Sequence, residues 1–362
     1  MKDIPDAFDL QTYAVDVPEE FVAQYPAGVR EESRLMVLDR TTGRCTLTTF
    51  RNIGRYLPPD SLLVANNTRV LPARLQGRKE ESGGAVEFLL LTPLPVIRSV
   101  SGRRNGQAEV EGLLKSSRAT RPGQRIVFGK SLVLTVTERL KYGRVRGELT
   151  WRGDLEVRLE EAGHVPLPPY IRRRDEGGDR DRYQTVYADR KKSGSVAAPT
   201  AGLHFSPELI RTLGAQGVGW AEISLYVGYG TFSPVRSRDV RQHRMHQEYF
   251  EVDEGSASAL QSARKAGRPI VAVGTTTVRT LETVMERYGS FQACAGWTDL
   301  FIYPGFAFKA VDHLVTNFHL PGSSLILMVS AFAGKENILR AYETAVAEKM
   351  RFYSYGDAML IL

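Results

Sequence analysis

Proton transfer at neutral pH is best served by histidine, whose unperturbed pKa lies near 6.5. This 362-residue chain has six histidines. Four of them sit in stretches denser in small and polar residues than a core requires. GSVAAPTAGLHF (194–205) sets Thr200 and His204 on a tight path of small residues and Pro199 that a ligand could approach. HRMHQE (243–248) places His243 and His246 three apart, beside Glu248. On a helix these would share a face, so two readings stand: a metal site or a polar catalytic cluster. The HExxH pattern is absent and no further ligand is evident, so no metal is expected. TNFHLPGSSL (316–325) brings Asn317 and His319 next to Tyr303, Phe306, Phe308 and Phe318, aromatic faces on which a purine could stack.

Two further stretches offer ligand contacts from the backbone. YVGYGTFSPV (226–235) carries Gly228 and Gly230 after an apolar strand. VAVGTTTVRTLE (271–282) reads as a strand that turns through Gly274 into a helix. The free N–H groups around Thr275 and Thr276 would favour an anion, and Arg279 could clamp it. No GKS or GKT follows, so this is not a P-loop.

The elements that position these residues divide into two kinds. Across 73–150, six β-type runs (ARLQGR, AVEFLLL, AEVEGLL, RIVF, SLVLTVTE, RVRGELTW) are separated by Gly-containing turns. They predict a small antiparallel six-stranded β-barrel domain. PVIRSVSGRRNGQ (95–107) reads as an exposed loop within it. The rest alternates helices and strands. Ser206, Pro207 and Gly217 bound a helix over 206–217, and helices are expected at 276–288 and 336–350. Strands are expected at 220–227, 269–274, 299–303 and 324–330. The fold class is therefore an α/β (mixed α+β) main domain, residues 1–72 and 151–362, with the barrel inserted at 73–150.

Composition narrows the setting. Hydrophobic residues make up 42% and charged residues 25%, enough for a core and typical of a soluble chain. No apolar run approaches the ~20 residues of a membrane span. The start MKDIPDAFDL lacks the core of a signal peptide, and Cys45 and Cys294 form no CxxC pair. A cytoplasmic protein is expected, with no membrane contact. The net charge is +7, yet residues 98–146 alone hold twelve Lys or Arg against three acids. Such a segment suits a polyanion. Arg118, Arg121, Arg125 and Arg144 in the barrel, with Arg172 and Arg173 outside it, are the candidate nucleic-acid contacts.

Taken together and in order, these stretches resemble one family, the S-adenosylmethionine:tRNA ribosyltransferase-isomerases of queuosine biosynthesis. The resemblance runs nearly end to end. Beyond the motifs above it rests on VAQYPAGVREESRLMVLDR (22–40), LLVANNTRVLPARLQGRK (62–79), PLPPYIRR (166–173), DRYQTVYA (181–188) and RFYSYGDAML (351–360). One position departs: the family pattern carries His where this chain has Tyr226. A tyrosine donates a hydrogen bond well but, with a pKa near 10, is a poor base at neutral pH.

The resemblance implies the reaction. The ribosyl group of S-adenosylmethionine would move onto 7-aminomethyl-7-deazaguanine at the tRNA wobble position, giving epoxyqueuosine-tRNA with loss of adenine and methionine. A base must remove a hydrogen from the ribose 5′ carbon, and donors must hold the alkoxide formed on ring closure. On this reading the catalytic candidates are His204, His319, Tyr226, His243 and His246. The S-adenosylmethionine contacts are Thr200, Gly228, Gly230, Thr275, Thr276, Arg279, Tyr303, Phe306 and Asn317. Thr275 and Arg279 would hold the methionine carboxylate. The macromolecular partner is tRNA with the modified base in its anticodon loop, and the enzyme is expected to act as a monomer. Two other classes compete: a metal-dependent hydrolase, which metal analysis would detect, and an RNA-binding relative that releases no adenine.

Overall fold

The structure is a computed structural model and describes residues 4–101, 104–228, 230 and 234–362. Strands β1 (Arg34–Leu38), β2 (Cys45–Thr49) and β3 (Leu62–Asn66) open the body, followed by the short β4 (Arg69–Val70). Six strands then form the barrel: β5 (Arg74–Lys79), β6 (Ala85–Leu90), β7 (Arg104–Ser116), β8 (Arg125–Phe128), β9 (Leu132–Arg139) and β10 (Arg144–Asp154). β11 (Gly163–His164) adds to the barrel edge, and β12 (Ser193–Ser195) pairs with β4. The body is completed by β13 (Gly219–Tyr226), β14 (Glu248–Val252), β15 (Ile270–Val273), β16 (Cys294–Thr298), β17 (His313–Asn317) and β18 (Ala358–Ile361). The helices are α1 (Leu94–Ser101), α2 (Leu155–Ala162), α3 (Asp179–Arg182), α4 (Pro207–Ala215), α5 (Glu254–Lys265), α6 (Thr275–Tyr288), α7 (Ser324–Ala333) and α8 (Lys335–Ala347). Among the described residues no helix is long and apolar enough to cross a membrane.

The body sheet has nine strands in the order β16-β14-β13-β3-β15-β17-β18-β1-β2. Its centre, β13-β3-β15-β17, is parallel. Such strands are buried on both faces, which is why LLVA and IVAV read as unbroken apolar runs. Alternate residues serve two cores. Leu62, Val64 and Ala272 pack with Leu260 of α5, Leu281 of α6 and Leu327 of α7. Leu63, Ala65 and Val271 pack with Phe50, Phe205 and Leu209 on the other face. The barrel has its own core, with Phe88, Leu134 and Leu149 turned inward by the period of two. It closes where Arg78 and Lys79 of β5 pair with Val127 and Ile126 of β8. The expected α/β body with an inserted antiparallel barrel is thus the observed architecture.

Three local expectations are corrected. Residues 324–330, expected as a strand, lie in α7. The run SLILMVS is buried on nearly every side, so it shows no period, and a short apolar run cannot by itself separate strand from helix. The caps decide it: the Ser323 hydroxyl accepts from Ile326 N–H, and Gly334 ends the helix at φ +86°. Residues 299–303 are not a strand; β16 ends at Thr298. Their backbone is taken instead by α6, where Arg279 donates to Leu300 O, while the turn at Pro304-Gly305 closes from Phe306 N to Tyr303 O. Finally, the expected exposed loop at 95–107 begins as α1, which buries Leu94 and Ile97 in the barrel core. Residues 102 and 103 of that stretch lie outside the described residues.

Candidate active site

In a parallel sheet, ligands bind beyond the carboxyl ends of strands where connections leave in opposite directions. Here β3 leads to β13 on one side, and β13 crosses back to β15 on the other. The carboxyl edge therefore collects Asn66 to Thr68, Tyr226 to Gly228, Gly274 to Thr276 and Asn317 to His319. Most of the stretches singled out for their chemistry arrive at this one edge.

At the β17 end, a chain of hydrogen bonds crosses the site. The Thr200 hydroxyl donates to Asn317 Oδ1 (2.8 Å), and Asn317 Nδ2 lies 3.1 Å from His204 Nε2. His204 Nδ1 is 2.7 Å from Ser33 Oγ, which in turn donates to Arg30 O (3.2 Å). With the amide nitrogen donating to Nε2, the imidazole carries its proton on Nδ1. His204 and Asn317 are 4% and 3% exposed. His319 sits two residues beyond Asn317. Its Nε2 is 2.7 Å from the Thr316 hydroxyl, and its backbone N–H donates to the Tyr342 hydroxyl at 2.6 Å. A small pocket is walled by Thr200, Asn317, His319, Tyr170, Tyr353 and Ser354. Tyr170 and Ser354 are hydrogen-bonded to each other across it.

Burial pushes both imidazoles to about 3; for His204 the nearby charges of Arg30 and Arg351 add to the effect. Both rings are therefore neutral in the folded protein at physiological pH. In the unfolded chain each takes up a proton near pH 6.5. The stability from this source is complete above about 6.5 and is lost as pH falls towards 3. Between pH 7 and 5 each ring is expected to contribute a loss of up to about 2 kcal/mol. Urea unfolding at the two pH values checks this: His204→Gln should show a shallower acid loss than wild type. An equal loss in both would contradict a buried neutral His204.

A second cluster forms at the β13 end. Gly228 N–H donates to Glu248 Oε1 (2.8 Å), while Glu248 Oε2 pairs with Arg279. A Cβ on Gly230 would stand 2.9 to 3.1 Å from His246, so the ring packs directly on that backbone. β13 and β17 are separated by β3 and β15, three strand spacings or about 14 Å. Between the clusters lies Gly274, whose φ of +92° makes the turn into α6. Thr275 is nearly buried at the helix start, and the Thr276 hydroxyl is buried without a partner among the described residues. Ala201 lies against this turn, about 3.7 Å from where a Gly274 Cβ would be. The stretch at 194–205 thus lies against the turn at the end of β15.

Several expected roles change. Arg279 does not clamp an open carboxylate: it is 3% exposed and held by Glu248, Leu300 O and Thr298 O. His243 and His246 are not on a helix; residues 243–247 are irregular, and His243 packs edge-on against Phe301. No group of three potential metal ligands occurs among the described residues. Tyr303 and Phe306 pack with Phe8 and Phe308 respectively and do not line the Asn317 pocket. Tyr226 is 1% exposed, lying near Tyr249 and against Gly194 where α1 begins, so it belongs to the seam between barrel and body. Its hydroxyl is buried without a partner among the described residues, and burial raises its pKa. Tyr229 and residues 231–233 lie outside the described residues.

The arginines divide as well. Arg173 is committed to the fold, forming a two-pronged pair with Asp179 and stacking over Tyr25. Arg172 pairs with Glu19 in the open, Arg125 with Glu80 and Arg144 with Glu111. Arg118 and Arg121 are exposed with no ion pair among the described residues. Ser33 escaped the sequence reading altogether. Its partner His204 is 171 residues away, and no local pattern marks it.

A nine-stranded α/β sheet with an inserted barrel, and a His-Asn-Thr relay at its carboxyl edge, define a ligand-transforming enzyme rather than a plain binding module. The family described as "Queuosine biosynthesis protein" matches residues 10–361. The S-adenosylmethionine:tRNA ribosyltransferase-isomerase of Oleidesulfovibrio alaskensis is 53% identical over 358 residues, covering 99% of this chain and 94% of the relative. The enzyme of the same name from Caldanaerobacter subterraneus is 49% identical over 348 residues, covering 96% and 98%. The crystal structure of the S-adenosylmethionine tRNA ribosyltransferase of Thermotoga maritima is 35% identical, aligns with a TM-score of 0.54, and is covered over 98% of this chain and 100% of that one. The chain belongs to the S-adenosylmethionine:tRNA ribosyltransferase-isomerase family.

Proposed function

We propose that this enzyme transfers the ribosyl group of S-adenosylmethionine to 7-aminomethyl-7-deazaguanine at the wobble position of tRNA. It isomerises the sugar to epoxyqueuosine and releases adenine and methionine. The observation that carries the reading is the pocket at the end of β17, where Thr200, Asn317 and His319 meet under His204, in a chain matched to the family from residue 10 to 361.

The residues divide the work. His319 has Thr316 as its one ring hydrogen-bond partner among the described residues and stands in the pocket wall. With Nε2–H donated to Thr316, Nδ1 is the nitrogen that removes the ribose 5′ hydrogen. Burial keeps it unprotonated and at the same time weakens it as a base, so the hydrogen it takes must be one already acidified by the adjacent sulfonium. His204 has both ring nitrogens engaged, so it acts as a positioning residue for Asn317. An amide nitrogen has two hydrogens; one goes to His204, and the second is left to hold the alkoxide that forms on ring closure.

The tRNA docks on the barrel side. A cleft of about 590 Å³ opens where barrel meets body, lined in part by Arg74, Lys115, Arg139, Tyr142 and Arg144. Tyr142 is 72% exposed, with the Arg236 guanidinium 3.9 Å over its ring. Bases splayed from an anticodon loop are held in this way, by stacking and by phosphate contacts. Binding should weaken steeply with salt. Arg118→Ala and Arg121→Ala should each lower the log–log salt slope by about one and leave the S-adenosylmethionine affinity unchanged. Anisotropy titrations across a salt series measure it; unaltered slopes in both variants would remove the barrel from the docking surface. The reaction itself is tested by adenine release from S-adenosylmethionine in the presence of tRNA carrying 7-aminomethyl-7-deazaguanine; no release from enzyme that binds this tRNA would overturn it.

A further inference from the structure

His204 separates two pockets. On its Nε2 side lies the Asn317 pocket; on its Nδ1 side, a second and narrower one is lined by Arg30, Ser33, Arg182, Leu203 and Tyr355, with Ser354 lining both. Two guanidiniums, Arg30 and Arg182, line the second pocket, and the charge of a third, Arg351, acts on the same imidazole; none of the three has a carboxylate within ion-pair distance among the described residues. Arg30 donates to Leu203 O and Asp181 O, both at 3.0 Å. Arg182 donates to Gly28 O (2.9 Å) and Ala27 O (2.5 Å), and its Nε is buried with no partner. Arg351 donates to Tyr25 O.

Carbonyl oxygens satisfy N–H groups but cancel no charge. Stapling the 25–28 segment needs donors, and neutral side chains supply those without mutual repulsion. Burial and the charge of Arg182 both press the Arg30 guanidinium towards losing its proton, which arginine does not do. Some half-buried arginines of this protein are paired with acids, as Arg98 is with Glu156 and Arg144 with Glu111, and others, such as Arg74 and Arg268, meet single carbonyls, whereas Arg30 and Arg182 stand together at one narrow pocket, the second with its Nε buried and unpartnered. Two unpaired forks at one pocket, with a third guanidinium acting on the same imidazole, match a planar or tetrahedral oxyanion.

We propose that Arg30 and Arg182, supported by the charge of Arg351, form an oxyanion-binding site beside His204. Its ligand is a singly charged group of a substrate: an RNA phosphodiester flanking the target nucleotide, or the carboxylate of S-adenosylmethionine. The choice between these two carriers rests on the function proposed above; the site itself does not. Occupied, it anchors the substrate on one side of the imidazole while the reacting atoms lie on the other.

The test compares wild type with Arg30→Gln and Arg182→Gln. Affinity is measured for a synthetic anticodon stem–loop and, separately, for S-adenosylmethionine. Each variant is expected to weaken one of the two by about tenfold. Loss of stem–loop affinity with a shallower salt slope assigns the phosphodiester. Loss of S-adenosylmethionine affinity alone assigns the carboxylate. Both affinities unchanged, in a variant with the wild-type unfolding midpoint, overturn the site. A third arm needs neither substrate and covers a variant that fails to fold. Inorganic phosphate at constant ionic strength should raise the unfolding temperature of wild type, and raise it less in Arg351→Gln. No phosphate-specific rise in wild type, or an equal rise in the variant, also overturns it. Because this arm is independent of the reaction, failure of the site and failure of the proposed function are told apart.

Discussion

Replacing Glu248 by alanine is expected to destabilise the protein by about 3–5 kcal/mol, the cost of leaving a buried charge alone. Glu248 and Arg279 are 2% and 3% exposed and paired. Removing the carboxylate strands a guanidinium that cannot shed its proton and leaves it two carbonyls, Leu300 O at 3.1 Å and Thr298 O at 3.4 Å. It also removes the acceptor for Gly228 N–H at the carboxyl edge of β13. The double variant Glu248→Met with Arg279→Met is expected to recover much of the loss, since replacing a whole buried pair by apolar groups is often close to neutral. Urea unfolding of the three variants measures this. A Glu248→Ala midpoint equal to wild type would mean that the pair does not carry this strand end.

The second large effect is chemical. His319→Ala is expected to lower the rate of adenine release by about 10²–10⁴-fold, the usual contribution of a positioned general base, without changing the unfolding midpoint by more than the loss of one buried ring allows. His204→Ala should act differently. It frees Asn317 to rotate, so the rate falls while the pH dependence keeps its shape, and His204→Gln should restore part of the rate. A His319→Ala enzyme with full turnover would remove the proposed base. A His204→Gln enzyme no better than His204→Ala would show that the ring does more than hold Asn317.

Much of this arrangement was legible in the sequence, and the reason differs from element to element. The barrel strands alternate because one face meets Phe88 and Leu134 and the other meets water, so a period of two was visible. α4 announced itself through Ser206 and Pro207, whose capping chemistry is local. α7 did not, because burial on nearly all sides erases the helical period and leaves only its caps as evidence. The site divides in the same way. His204, Asn317, His319 and Thr200 stood out as polar groups in Gly-rich turns, and the sheet brings all four together. Arg279 misled because a cation four residues into a helix looks the same on paper whether it faces a ligand or a buried glutamate. The glutamate is 31 residues away, beyond any local pattern. Ser33 and Arg30 were invisible for a related reason: each meets its partners only through long-range packing.

Tyr226 sets the remaining question. Its ring lies at the barrel–body seam, away from the Asn317 pocket, and its hydroxyl has no described partner. On this account it is compatible with turnover, because His319 moves the proton and Tyr226 does not. Purified enzyme is mixed with S-adenosylmethionine and tRNA carrying 7-aminomethyl-7-deazaguanine, alongside tRNA lacking the modified base, and free adenine is quantified. Adenine and methionine are expected in equal amounts, with the modified tRNA only. No adenine from enzyme that binds the same tRNA tightly would contradict it, and would leave an RNA-binding protein that has kept the family's fold without its reaction.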